Sequence, residues 1–92
     1  MKLVGRGKLD RFAKKHAQSR GPLRAWIAEV ESAQWKTPNQ LKARFPKASI
    51  LADNVAIFDL GGNKYRLETS VSYPLQIVAV GRIGTHEEYN KW

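Results

Sequence analysis

Two short runs near the C-terminus carry the side chains best suited to chemistry. The first is Gly61-Gly62-Asn63-Lys64-Tyr65-Arg66-Leu67, and the second is Arg82-Ile83-Gly84-Thr85-His86-Glu87-Glu88-Tyr89. A guanidinium such as Arg66 or Arg82 can grip a phosphate through two parallel hydrogen bonds, and Lys64 adds a point charge. His86 brings the one kind of side chain that ordinarily titrates near neutral pH. Tyr89 adds a phenol that can move a proton or stack on a base. Asn63 and Lys91 flank these groups with further polar contacts. If the two runs are neighbouring strands, the cations, the imidazole and the phenol meet on one patch. Such a patch could hold a phosphodiester and cut it.

Taken singly, each residue has a plainer reading. Most charged residues are solvated surface positions, which would suffice for Lys64 and Arg66. His86 could cap or pack, and Tyr89 and Trp92 could be core. His16 lies on the apolar stripe of a helix and reads as structural.

The patch depends on the elements that carry it. Leu9, Phe12, Ala13 and His16 recur at helical spacing, as do Leu23, Trp26, Ile27 and Val30, with Gly21-Pro22 as a break between them. Thr37-Pro38-Asn39-Gln40 reads as a helix start with a capping box, and Pro46 as the end of that helix. The texture then changes. Ser49–Leu51, Val55–Phe58, Tyr65–Val71 and Gln76–Val80 read as strands, with turns at Asp53-Asn54, Gly61-Gly62-Asn63 and Tyr73-Pro74. Strands joined by short turns imply an antiparallel meander. Helices first and strands afterwards imply an α+β domain with helices on one sheet face.

Alternation places Lys64, Arg66, Glu68 and Ser70 on one face, and Tyr65, Leu67, Thr69 and Val71 on the other. The last strand is ambiguous. If Arg82 joins the Arg66 face, strict alternation puts Val78 and Val80 there too, so the spacing leaves that register open.

Composition narrows the partners. The chain has 92 residues and a formal net charge of +8, with no cysteine. That length suits a single domain over residues 1–92. So large a cationic excess points to a polyanion, with nucleic acid first among candidates. Cysteine-free, it has no disulfide or thiolate metal site. Two distant histidines and no carboxylate cluster argue against a metal or other cofactor. No apolar run is long enough to span a membrane, which fits a cytoplasmic protein.

The stretch from Trp35 to Trp92 resembles the HigB family of bacterial type II toxins, within the wider RelE-like group. The resemblance rests on Trp35-Lys36-Thr37-Pro38, Ala43-Arg44-Phe45-Pro46, the run from Val55 to Leu67, and Gly84-Thr85-His86-Glu87-Glu88-Tyr89. It implies a RelE/HigB-like α+β fold: two to three N-terminal helices on one face of a small antiparallel sheet, ending in a short helical turn. It also implies a toxin of a toxin–antitoxin system, a ribosome-dependent mRNA endonuclease or mRNA interferase. The implied partners are the ribosome and its messenger RNA, and a HigA-type helix-turn-helix antitoxin joined with the toxin in a heterotetramer on operator DNA. A non-catalytic RNA- or ribosome-binding module and a gyrase poison resembling ParE toxins are the alternatives.

Metal-free RNA cleavage uses the adjacent 2′-hydroxyl as nucleophile, so it needs a base, an acid and cations around the phosphorane. On the family reading His86 is acid or base, Arg66 stabilises charge and Lys64 positions the backbone or tunes a neighbour. Tyr89 stacks or moves a proton, and Arg82, Lys91 and Asn63 contact RNA or its phosphates. Many relatives carry an arginine one position earlier than Arg82, where this chain has Gly81.

Overall fold

The computed structural model describes residues 1–92. The elements run β1 (Lys2–Val4), α1 (Arg6–Lys15), a 3-10 turn (Ala17–Ser19), α2 (Arg20–Ser32), α3 (Pro38–Arg44), β2 (Ser49–Ile50), β3 (Val55–Leu60), β4 (Tyr65–Ser72), β5 (Ile77–Thr85) and α4 (His86–Tyr89). All five strands form one sheet, in the order β1-β5-β4-β3-β2.

The helices follow the apolar spacing. Leu9 and Phe12 of α1 and Leu23, Trp26, Ile27 and Val30 of α2 are buried. They pack on Phe58, Leu60, Tyr65, Leu67, Val71, Val78 and Val80 from the sheet. Trp26 meets Phe58 edge-on, with ring centroids 5.3 Å apart. The break between α1 and α2 falls at residues 16–19 instead of at Gly21-Pro22. Those two residues lie in the first turn of α2, where the missing N–H of proline costs nothing. At the start of α3, the Thr37 hydroxyl accepts from the Gln40 N–H at 3.3 Å. Gln40 Oε1 accepts from the N–H of Lys36 at 2.6 Å, one residue before the expected capping-box donor.

β2 through β5 form the expected antiparallel meander. β1 adds a parallel strand beside β5, pairing Lys2 with Ile77 and Val4 with Ala79, so the sheet is mixed. Three residues are too few to show a period, and their partners lie far along the chain. Between β3 and β4 the turn places Gly61, Gly62 and Asn63 at φ of 61°, 64° and 73°. Left-handed backbone is easy for glycine and tolerable for asparagine. The turn brings Leu60 opposite Tyr65, which puts Asp59 opposite Arg66 and Ile57 opposite Glu68.

The register of β5 is resolved by a bulge. Leu67 faces Ile83, but Thr69 faces Val80, so Gly81 and Arg82 together oppose Glu68. One extra residue in a strand reverses the alternation beyond it. Val78 and Val80 therefore point into the core with Val71 and Thr69, and Arg82 still emerges on the Arg66 side. No helix is long and apolar enough to cross a membrane.

Candidate functional site

The helices cover one face of the sheet. On the other, open face the cross-strand rows are Asp59, Arg66 and Gly84, then Ile57, Glu68 and Arg82. The C-terminal tail folds over these rows. Its start is fixed by a capping box: the Thr85 hydroxyl accepts from the Glu88 N–H at 3.2 Å, and Glu88 Oε1 accepts from the Thr85 N–H at 2.8 Å. That backbone donation is the main cause holding the Glu88 carboxyl below its usual range, with smaller help from the charges of His16 and Lys15. The His86 N–H donates to the Lys64 carbonyl at 3.0 Å, which ties the tail to the β3–β4 turn.

His86, Tyr89 and Trp92 recur every three residues along this tail. The His86 and Tyr89 rings are 6.5 Å apart, and the Tyr89 and Trp92 rings meet edge-on at 5.2 Å. Each of the last two rings covers an arginine. The Arg66 Cζ lies 5.3 Å from the Tyr89 centroid, and the Arg82 Cζ lies 4.5 Å from that of Trp92. Close packing here needs Gly84, because a Cβ there would sit 3.0 Å from Glu88 Cβ and 3.4 Å from the Trp92 ring.

Both arginines are also held by carboxylates. Arg66 pairs with Asp59, and the two side chains are only 15% and 19% exposed. Arg66 Nη1 touches the carboxylate without an aligned hydrogen bond and is itself buried. Arg82 meets Glu68 through two hydrogen bonds, Nε to Oε1 at 3.0 Å and Nη2 to Oε2 at 2.8 Å. These bonds push the Glu68 carboxyl below its ordinary range and the Arg82 guanidinium above its own. Gly81 makes room for the pair, since a Cβ there would lie 3.0 Å from Glu68 Oε1. From the helical side, Lys8 Nζ donates to the Gly81 carbonyl at 3.2 Å, at the bulge itself.

The structure thus gathers Arg66, His86, Tyr89 and Arg82 about the tail. Lys64 does not join Arg66 on the open face. It lies in the turn before β4, and its Nζ reaches Gln18 Oε1 of the 3-10 turn at 3.5 Å. Asn63 and Lys91 are exposed, the first in the turn and the second on the tail. His16 is a packing residue, stacked on Phe12 at 4.3 Å and edge-on to Tyr65 at 6.2 Å. Asp59, Glu68 and Lys8 were not singled out from sequence as site residues. Counting back across the four-residue turn would have placed Asp59 opposite Arg66; Glu68 and Lys8 needed the bulge.

No three His, Cys, Asp or Glu side chains cluster to hold a metal ion. A groove of about 380 Å³ runs between α1 and α2, edged by Arg6, Arg20 and Arg24. It shares no residue with the tail site.

The model of the HigB toxin family, described as the RelE-like toxic component of a toxin–antitoxin system, matches residues 19–92. The mRNA interferase toxin HigB of Escherichia coli (strain K12) is 29% identical over 92 residues, covering 98% of this chain and 88% of the relative. The mRNA interferases HigB of Escherichia coli O157:H7 and Shigella flexneri match to the same extent.

Proposed function

The chain belongs to the HigB family of RelE-like toxins, and from that premise we propose that it is an mRNA interferase, an endoribonuclease that stops translation by cutting messenger RNA. The family supplies the class, since the relatives that carry this activity in their names align along nearly the whole chain. One observation in the structure supports the reading most: the Tyr89 ring lies between the Arg66 guanidinium, 5.3 Å from its centroid, and the exposed His86 ring, 6.5 Å away.

The proposed reaction proceeds by metal-independent 2′-hydroxyl attack. The 2′-oxygen bonds to phosphorus, and the bond from phosphorus to the 5′-oxygen breaks. A base takes the 2′-proton, and an acid returns a proton to the departing 5′-oxygen. The products are a 2′,3′-cyclic phosphate and a 5′-hydroxyl. His86 is exposed and serves as acid or base. Arg66 is already oriented by Asp59 and stabilises charge on the phosphorane. Tyr89 lies between them and holds the substrate in reach of both. Arg82 contacts the neighbouring phosphate. Lys64, Asn63 and Lys91 lie beyond this group and act as outer contacts to the RNA strand.

The family carries an antitoxin partner with it. We assign that partner to the HigA type, a helix-turn-helix protein that joins the toxin in a complex on operator DNA. The ribosome supplies the messenger in the cytoplasm, and the exposed cations bind ribosomal RNA. The test is induction of the parent, His86→Ala and Arg66→Ala in bacteria, with mapping of messenger 5′ ends. The proposal expects new 5′ ends and growth arrest with the parent, and loss of both in each variant. Equal cleavage by all three chains would refute the assigned site. Pairing of both arginines with carboxylates favours one other reading, a module that binds RNA without cutting it. Growth arrest with intact messengers would select that reading.

A further inference from the structure

The open face holds a depression that shares Tyr89 and Arg82 with these roles but is otherwise unused by them. Its volume is about 390 Å³, at the small end of ligand sites, and it is bordered by Leu51, Ile57, Glu68, Arg82, Asn90 and Trp92. Ile57 is buried there yet stands outside the main core. Leu51 and Trp92 rise exposed at the rim, at 49% and 37%. Trp92 is held in place from two sides, over Arg82 at 4.5 Å and edge-on to Tyr89 at 5.2 Å. A flat ring that is held in place and still partly open is a stacking surface for another flat ring.

We propose that this depression is a nucleobase subsite, in which Trp92 stacks on one unpaired base of the bound RNA beside the phosphate at Arg66. The inference rests on the reading of this face as the RNA-binding face, and it extends that reading from phosphate to base. Tyr89 borders both the depression and Arg66. A strand whose phosphate sits at Arg66 therefore brings the adjoining base to Trp92. The polar groups suit a base edge. The Glu68 carboxylate keeps lone pairs beyond those used by Arg82, and these can accept from an exocyclic amine. Asn90, at the rim, offers both a donor and an acceptor.

The other two tryptophans make the site measurable. Trp26 and Trp35 are only 2% and 7% exposed, so a ligand that touches the accessible indole reports on Trp92. The probe is a short single-stranded oligoribonucleotide with methylated 2′-hydroxyls, which binds and cannot be cut by 2′-hydroxyl attack. Saturating probe should quench the emission of the full chain. Trp92→Ala should weaken binding roughly ten- to a hundredfold, as loss of one base stack does. Trp92→Phe should restore most of it. A probe of the same length carrying abasic positions should bind the parent and Trp92→Ala alike. Binding by Trp92→Ala as tight as by the parent, or emission unchanged at saturation, would overturn the subsite.

Messenger cleavage by the parent is scored separately. Trp92-dependent binding by a chain that leaves messengers intact supports the subsite and overturns the cleavage reading alone. Cleavage with Trp92-independent binding overturns the subsite alone.

Discussion

Adding one methyl group at Gly84 should switch the site off while leaving the fold standing. The Cβ of Gly84→Ala would lie 3.0 Å from Glu88 Cβ, about 0.5–1 Å inside the favourable carbon–carbon range. The backbone at Gly84 is ordinary strand, so the substitution carries no left-handed penalty. Replacing glycine there even stabilises the chain by about 0.4–1 kcal/mol, by restricting the unfolded state. The cost falls on the tail. Glu88 must move outward, and the capping-box bonds of 2.8 and 3.2 Å stretch out of range, at about 0.5–2 kcal/mol. The two cation–π contacts loosen with it, at about 0.5–1 kcal/mol for the exposed Arg82–Trp92 pair and up to about 2 kcal/mol for the more buried Arg66–Tyr89 pair. Even a partial loss of these contacts, of about 1–2 kcal/mol, raises the open population about 5–30-fold. Global stability should change by less than about 1 kcal/mol, so Tm should move by less than about 8 °C. Acrylamide quenching of Trp92 should rise, and messenger cleavage should fall in proportion to the closed fraction lost if opening alone removes Tyr89 from Arg66. A Gly84→Ala chain with parental quenching and parental cleavage would show that the tail does not build the site.

Three further outcomes follow from the partners of the two arginines and from the lysine at the bulge. Asp59→Asn leaves a largely buried guanidinium without its counter-ion and should cost about 1–3 kcal/mol by thermal denaturation. The variant should recover more stability than the parent when oligonucleotide is added, because phosphate fills the vacated position, and equal recovery would contradict this. Glu68 has a lowered pKa, so its pair with Arg82 stabilises the fold above the ordinary carboxylate range near pH ~4.3. That stability is lost as pH falls through the lower folded value. The advantage of the parent over Glu68→Gln should be at most about 1 kcal/mol at neutral pH and vanish in acid; a difference independent of pH would rule the pair out as its source. Lys8→Ala removes the donor to the Gly81 carbonyl and should lower hydrogen-exchange protection at residues 81–83, while unchanged protection would mean that Lys8 does not hold the bulge.

Much of this architecture could be read from residue order, because it depended on local spacing. The helical stripes, the Thr37 cap and the turn at Gly61-Gly62-Asn63 each announce themselves within a few residues. The opposite-face logic of β4 held from Tyr65 to Ser70 for the same reason. What failed to show was set by distant contacts. β1 is defined only by its partner β5. The bulge has no local signature beyond one glycine, yet it decides where Arg82 points. Lys64 belonged to the Arg66 face by strict alternation, but β4 begins one residue later, and its amine turned toward Gln18. Alternation is a property of extended backbone, and the turn residue before it is not bound by that rule.

The carboxylate pairing of the two arginines bears on where the protein must act. Each pair is nearly neutral, so the site itself attracts free RNA only weakly; the long-range pull comes from the other cations. Arg44, Arg66 and Arg82 are the only members of the sixteen Lys and Arg that sit in carboxylate pairs. The rest spread their charge over the surface, where it can engage a large polyanion by counterion release. On the proposed function, an arrangement of this kind would bind a large RNA assembly first and the scissile strand second. Once docked, the strand is presented at a high effective concentration, and a weak site is enough. Asp59 and Glu68 then have a positive use. They hold the guanidinium groups in place before the phosphate arrives, so less side-chain order has to be gained on binding. The same pairing would discriminate against stray RNA in solution, whose phosphates must displace a carboxylate without the help of a docked neighbour. The neutral site and the charged surface together are what the proposed dependence on the ribosome requires.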